Sequence, residues 1–177
     1  FFSMTVALAL VTSPGWHRPL PPGPDPPPGA GWPSLKALCV LASTMIFMQL
    51  LMGAAFRHKG FGIIPHLIGA CVVATVVLWI MARVAATHSS EAGIFGWALA
   101  INGLLMFQLV LGAGAYWIRD ITQDAPQPLL PMVVLTVAHV VLGAALLASS
   151  VVLTFQTSRG ARRTFDDPSL QQARVAT

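Results

Sequence analysis

Long apolar runs separated by short polar connectors dominate the pattern of hydrophobic and polar positions along the chain. A helix needs about 20 mostly apolar residues to cross about 30 Å of hydrocarbon. Four runs reach that length, and they cover residues 35–56, 65–86, 93–118 and 130–156. Because short connectors make consecutive helices antiparallel neighbours, the pattern predicts an all-α integral membrane protein with a four-transmembrane-helix bundle at residues 35–158.

The segments on either side of these runs have a different pattern. Residues 1–13 are apolar but too short to cross a membrane, so we expect them to be the end of a preceding transmembrane helix, which makes the chain a piece of a longer protein. Residues 14–34 are a Pro-rich linker, with nine prolines at positions 14–33. Proline fixes φ and removes a backbone donor, which predicts a stiff strap without helix or strand. Residues 159–177 are predicted to be a basic, solvated tail.

Composition and charge support the membrane assignment. The chain is 55% hydrophobic and 9% charged, whereas a soluble domain has about 25% charged residues. The net charge of +4 comes mostly from the end of the chain, which indicates a membrane-facing basic tail and no nucleic-acid partner. The two cysteines, Cys39 and Cys71, fall in apolar runs without a CxxC pair, so we expect buried structural thiols.

The basic residues near the helix ends predict the orientation. Three of them, Arg57, Lys59 and Arg119, lie at one end of the predicted bundle, and the other seven lie at the end that carries the tail. Loops rich in lysine and arginine stay in the cytoplasm. We therefore expect a multi-pass protein of the bacterial cytoplasmic (cell inner) membrane with a cytoplasmic C-terminus.

A short motif repeats in the two predicted hairpins. The first helix of each hairpin carries glutamine four residues before glycine, and the second carries histidine three or four residues before glycine. The members are Gln49 with Gly53 and His66 with Gly69 in one hairpin, and Gln108 with Gly112 and His139 with Gly143 in the other. This repetition predicts two similar hairpins related by a pseudo-twofold axis.

The two histidines of this motif are the strongest candidates for function. An ionisable side chain inside a membrane span is costly and therefore suggests a functional site. His66 lies 17 residues before Arg83, and His139 lies 20 before Arg159, so at 1.5 Å per residue both lie at nearly the same depth. Two imidazoles at one depth fit the axial ligands of a haem iron. A bare zinc ion would require three or four ligands.

Other members of the motif have two interpretations each. Gly69 and Gly143 can leave a gap for a macrocycle beside each histidine, or they can be small residues that let helices pack closely. Gln49 and Gln108 can tie the bundle together, or they can orient a haem ligand. Arg57 and His58 can pair with haem propionates, or they can form an ordinary interfacial cluster.

Five segments resemble one known family: "TSPGW", "QLLMGAAFRH", "PHLIGA", "FQLVLGA" and "AHVVLGAALLASSVVLT". Over residues 1–158 the chain resembles the C-terminal half of the heme A synthase family, which assists cytochrome oxidase assembly. The resemblance implies two similar four-helix bundles and oxidation of a heme O methyl group to the formyl group of heme A. It also implies that the C-terminal bundle holds haem b through two histidines at the positions of His66 and His139.

The chain departs from that family in two respects. The connector "KGFGIIP" is shorter than the corresponding loop of the family, and the half with the catalytic glutamate is not in this sequence. Three functions therefore remain open. In the first, the chain is the haem-binding half of a heme A synthase-like oxidoreductase. In the second, it is a haem b electron-transfer or accessory subunit of a respiratory or photosynthetic complex, without its own catalysis. In the third, it is a chlorophyll-binding or structural subunit. A missing N-terminal half or other membrane subunits are the expected protein partners.

Overall fold

The computed structural model describes residues 2–17, 32–126 and 129–166, with side chains up to residue 159. Four long helices form the body of the structure: α3 (Leu35–Arg57), α4 (Ile64–Thr87), α5 (Ala92–Ile121) and α6 (Leu130–Asp166). Two short helices, α1 (Phe2–Thr12) and α2 (Pro14–His17), precede them. The described ranges contain no strand, and all four long helices are apolar enough to cross a membrane. The predicted all-α membrane fold is confirmed.

Local sequence signals set the helix ends. Ser34 caps α3, since its hydroxyl accepts a hydrogen bond from the Ala37 amide at 3.2 Å, and such a cap satisfies an otherwise unpaired donor. Pro65 lies in the first turn of α4, where its missing amide hydrogen costs nothing. After α3 the chain turns at Lys59, whose φ of 60° is left-handed.

The four long helices form a closed ring in chain order. α3 packs on α4, α4 on α5, α5 on α6, and α6 returns to α3, while α1 lies against α6. Among the described residues, neither α3 with α5 nor α4 with α6 makes close backbone contacts, so these pairs lie on the two diagonals of the bundle. Side chains that point to the bundle axis from α4 and from α6 therefore approach each other from opposite corners.

The two ends of the bundle are packed very differently. We call the end that contains residues 58–63 and 122–126 the histidine end and the opposite end the core end. The buried side chains of all four helices lie toward the core end: Leu38, Cys39, Ala42 and Ile46 in α3; Val73, Val76, Val77, Ile80 and Val84 in α4; Ile94, Ala98, Ile101 and Leu105 in α5; and Leu146, Ala148, Ser150, Val152, Leu153 and Thr157 in α6.

Polar groups at the core end are paired within the protein. The Ser43 hydroxyl of α3 lies 3.1 Å from both the Ser150 and the Thr154 hydroxyls of α6. Hydroxyls in apolar surroundings need such partners because an unpaired buried donor or acceptor costs free energy. These bonds join α3 to α6 and close the ring.

Two sequence-based expectations are wrong in detail, and a third, the basic, solvated tail, is untested. Cys39 is buried as expected, but Cys71 is exposed, because an apolar run does not reveal which face of a helix turns away from the bundle. The start of the predicted helix-free strap forms the single turn α2, in which Pro14 takes the first position that tolerates proline. The predicted tail begins as a continuation of α6 to Asp166. Residues 18–31 and 167–177 lie outside the described residues.

Truncation of Leu153 tests the buried core. Leu153 is 1% exposed, so Leu153→Ala should leave a cavity and lower the free energy of unfolding by about 2 kcal/mol or more. Leu99→Ala is the matched control, because Leu99 is 56% exposed and its loss leaves no cavity. Equilibrium denaturation of the protein in detergent measures both, and equal losses would contradict this assignment of the core.

Candidate functional site

The side chains of His66 and His139 approach each other across the bundle. His66 lies in the first turn of α4 and His139 lies in α6, on the opposite corner of the ring. Their ring centroids are 6.4 Å apart, and the ring planes are inclined at 74°. The structure therefore brings together two residues that are 73 positions apart in the sequence (139 minus 66).

Each imidazole lies against a glycine of the preceding helix. A Cβ added to Gly53 would lie 3.1 Å from His66 Cε1, and one added to Gly112 would lie 2.9 Å from His139 Cε1. Contacts this short are not tolerated without displacement of the ring. The glycines four residues after each glutamine thus make room for the histidines.

Each glutamine in turn lies against the glycine that follows a histidine. A Cβ added to Gly69 would collide with the Gln49 Oε1 atom, and one added to Gly143 would lie 3.0 Å from Gln108 Nε2. In both hairpins, therefore, a histidine fills the gap at one glycine and a glutamine fills the gap at the other. The predicted contact of Gly69 and Gly143 with a macrocycle stays a prediction.

Hydrogen bonds join the same glutamines and histidines. Gln49 Nε2 lies 3.0 Å from His66 Nδ1 and 2.6 Å from the His66 carbonyl oxygen. Gln108 Nε2 lies 3.3 Å from His139 Nε2, and the Gln108 carbonyl oxygen lies 3.2 Å from His139 Nδ1. The Oε1 atoms of both glutamines are buried and have no partner within the described part of the chain. Both glutamines therefore contact the candidate ligands directly.

The histidine end lacks the dense packing of the core end. No residue of segments 47–57, 64–72, 106–121 and 130–142 is buried, and both histidines are half-buried. The side chains of these segments are therefore packed less densely than those of the core end. This is the property expected of a region that accommodates a ligand.

A cavity of about 270 Å³ lies at the mouth of this region, lined by Phe56, Ile63, Tyr116, Arg119, Asp120 and Gln123. The Arg119 guanidinium carbon lies 4.5 Å above the centre of the Phe56 ring, a cation–π arrangement. Arg119 follows Gly112 by seven residues, so it lies about 10 Å beyond the level of His139. In the sequence, the charge of Arg119 near the predicted ligand site is a signal for this position as well as for orientation.

Arg57 and His58 lie at the same end. Arg57 is the last residue of α3 and His58 caps that helix, and both side chains are exposed. The structure therefore keeps them at the mouth with Arg119. Their predicted contact with propionates is untested.

The donor set of the site is restricted. Among the described residues, no group of three or more His, Cys, Asp or Glu side chains is arranged to hold a metal ion. Two imidazoles alone do not complete the four-coordinate shell of a structural zinc site. Two imidazoles would complete the coordination of a metal ion whose four other ligands came from a macrocycle.

Comparison of the chain with models of protein families, with curated proteins and with solved structures finds no match.

Substitution of Gly112 tests the contact with His139. Gly112→Ala should lower the free energy of unfolding by about 1–3 kcal/mol because the added methyl group overlaps the imidazole. Gly103 lies in the same helix with nothing within 4 Å of an added Cβ, so Gly103→Ala should instead stabilise the protein by about 0.5–1 kcal/mol. Denaturation of both variants in detergent measures this difference in sign. A Gly112→Ala variant as stable as Gly103→Ala would contradict the contact.

Proposed function

We propose that the histidine end binds haem b, with His66 and His139 as the two axial ligands of its iron. The observation that carries this proposal is the separation of the two rings. Imidazole nitrogens bind metal ions at about 2.0–2.1 Å, and each nitrogen lies roughly 1 Å from its ring centre, so two imidazoles on one ion have ring centres roughly 6 Å apart. The observed separation is 6.4 Å.

Three further observations support this ligand class. The rings come from diagonally opposed helices, so a flat group between them would extend toward α3 and α5, whose described backbones make no close contact. The long segments 47–57, 64–72, 106–121 and 130–142 at the histidine end contain no buried residue. A porphyrin supplies four nitrogen ligands, which explains why two protein ligands suffice where a bare metal ion would need more.

Within this proposal, the chain is the haem-carrying half of a heme A synthase-like membrane oxidoreductase. When bound, haem iron supplies one-electron chemistry. The residues of this chain hold and orient that group, and the apolar helices limit its access to water. The two carboxylates nearest the middle helices lie at helix ends, since Glu91 caps the start of α5 and Asp120 lies in its last turn. The second candidate, an electron-transfer or accessory subunit without its own catalysis, would use the same two histidines.

A chlorophyll-binding function fits the site less well. The magnesium of a chlorophyll ordinarily takes one axial ligand, whereas low-spin haem iron takes two. A site with two opposed imidazoles is therefore better matched to iron than to magnesium.

Replacement of each histidine tests the haem proposal. Purified protein in detergent, titrated with hemin, should give the absorption spectrum of a low-spin six-coordinate haem. His66→Ala and His139→Ala should each give a five-coordinate haem or none. His88→Ala is the control, because His88 caps the core end of α4. An unchanged low-spin spectrum in the double variant His66→Ala/His139→Ala would refute the proposal, and so would a wild-type protein that binds no hemin.

The mouth residues should contribute a smaller, charge-dependent part of the affinity. Arg57→Gln and Arg119→Gln should each weaken hemin binding by about 0.5–1 kcal/mol, since exposed ion pairs contribute about that much. The effect should shrink as salt is raised, because salt screens exposed charges. Lys36→Gln is the matched control at the core end, where Lys36 is exposed. Hemin titrations at two salt concentrations measure the difference, and equal affinities for all three variants would contradict a role in binding propionates.

A further inference from the structure

The planes of the two imidazoles cross at a steep angle. The ring of His66 is inclined at 74° to the ring of His139. A histidine ring turns about its Cβ–Cγ bond in a broad energy well, so a ring without close neighbours would not keep one plane. The contacts that hold each ring therefore decide the angle between the two planes.

The ring of His66 is held by three contacts with the preceding helix. Its Cε1 atom lies against Gly53, and the ring is within hydrogen-bonding reach of the Gln49 backbone. The side-chain nitrogen of Gln49 lies 3.0 Å from the Nδ1 atom of the ring. A ring that is held at several points cannot turn about its Cβ–Cγ bond without breaking a contact.

The ring of His139 has the same neighbours, with a weaker side-chain contact. Its Cε1 atom lies against Gly112, and its Nδ1 atom lies 3.2 Å from the Gln108 carbonyl oxygen. The side-chain nitrogen of Gln108 lies 3.3 Å from the ring, beyond the usual range for N–H donors. The backbone of Gln108 therefore holds this ring more firmly than its side chain does.

The Gln49 amide is itself fixed in place. Its nitrogen donates a hydrogen bond to the His66 carbonyl oxygen at 2.6 Å, and its oxygen packs against Gly69. An alanine at position 69 would overlap only the Gln49 amide and the terminal methyl group of Met52. Both are the ends of flexible side chains, so Gly69→Ala displaces the amide without a large cost in stability.

We propose that Gln49 and Gln108 are positioning residues that hold the imidazole planes nearly perpendicular before any ligand is bound. Gln49 acts through its side chain as well as its backbone, and Gln108 acts mainly through its carbonyl oxygen. The ring planes are a property of the protein alone, whereas their consequence for an iron ion rests on the proposed haem function. Contacts that orient a metal ligand also tune the metal. Perpendicular axial imidazoles leave two d orbitals of a low-spin ferric iron close in energy, and parallel imidazoles separate them.

Proton NMR of the protein in detergent, without hemin, tests the ring positions. We expect a nuclear Overhauser cross-peak between His66 Hε1 and the Gly53 α-protons, and a second one between His139 Hε1 and the Gly112 α-protons. Both pairs of protons are close because each Cε1 atom lies where a glycine Cβ would be in tight contact.

Two variants should weaken the first cross-peak and leave the second unchanged. Gln49→Met keeps the length of the side chain and removes its amide, and Gly69→Ala keeps the amide but displaces it. Asn102→Leu is the matched control, since Asn102 bonds to the Ala98 carbonyl of its own helix. Unchanged cross-peaks in both variants, or an equal loss of the two cross-peaks, would overturn the proposal.

Electron paramagnetic resonance of the protein with ferric hemin tests the consequence for iron. Wild type should give the single feature at large g that is typical of perpendicular imidazoles. Gln49→Met and Gly69→Ala should move part of the intensity into a low-spin spectrum with three resolved g values. Gln108→Met should move less, because its side-chain contact is the longer one, and Asn102→Leu should move none.

The two proposals fail in distinguishable ways. Wild-type protein that binds no hemin refutes the haem function, and the cross-peaks of the hemin-free protein then decide the positioning role alone. A wild-type low-spin spectrum with three resolved g values leaves haem binding intact and refutes the perpendicular planes.

Discussion

The histidine end of this bundle depends on a reciprocal contact between the two helices of a hairpin. In this contact, a polar side chain of each helix packs against a glycine of the other helix. His66 lies against Gly53, and Gln49 lies against Gly69. An imidazole can approach a neighbouring helix this closely only where that helix has no Cβ. The short distance between the helices also lets the imidazole reach the glutamine of that helix. The second hairpin repeats this contact with His139, Gly112, Gln108 and Gly143.

Close packing of the hairpins also explains why the two histidines meet. Each hairpin fixes its own histidine, and the ring order of the helices places α4 and α6 on one diagonal. The rings therefore point to the bundle axis from opposite corners and come to a centroid separation of 6.4 Å. Neither hairpin alone would create a site with two opposed imidazoles.

Stability and site chemistry occupy different ends of the molecule. The core end has a buried apolar centre and the hydroxyl cluster of Ser43, Ser150 and Thr154, and these hold the four helices in register. The histidine end has no buried residue in segments 47–57, 64–72, 106–121 and 130–142. A dense interior tolerates little change in volume, so the space that a ligand needs is found where the packing is loose.

The sequence by itself determined the number of spans, their approximate ends and the depth of the two histidines, because apolar length and distance along a helix depend only on the order of residues. It left open whether Gln49 and Gln108 pack or orient a ligand, and it misjudged the environment of Cys71. Only the tertiary structure decided that each glutamine contacts a histidine, that Gly69 and Gly143 face glutamine side chains, and that Arg119 lies on Phe56. Those facts depend on how each helix is rotated about its axis and which helix stands beside it, and a pattern that is apolar on every face does not specify either.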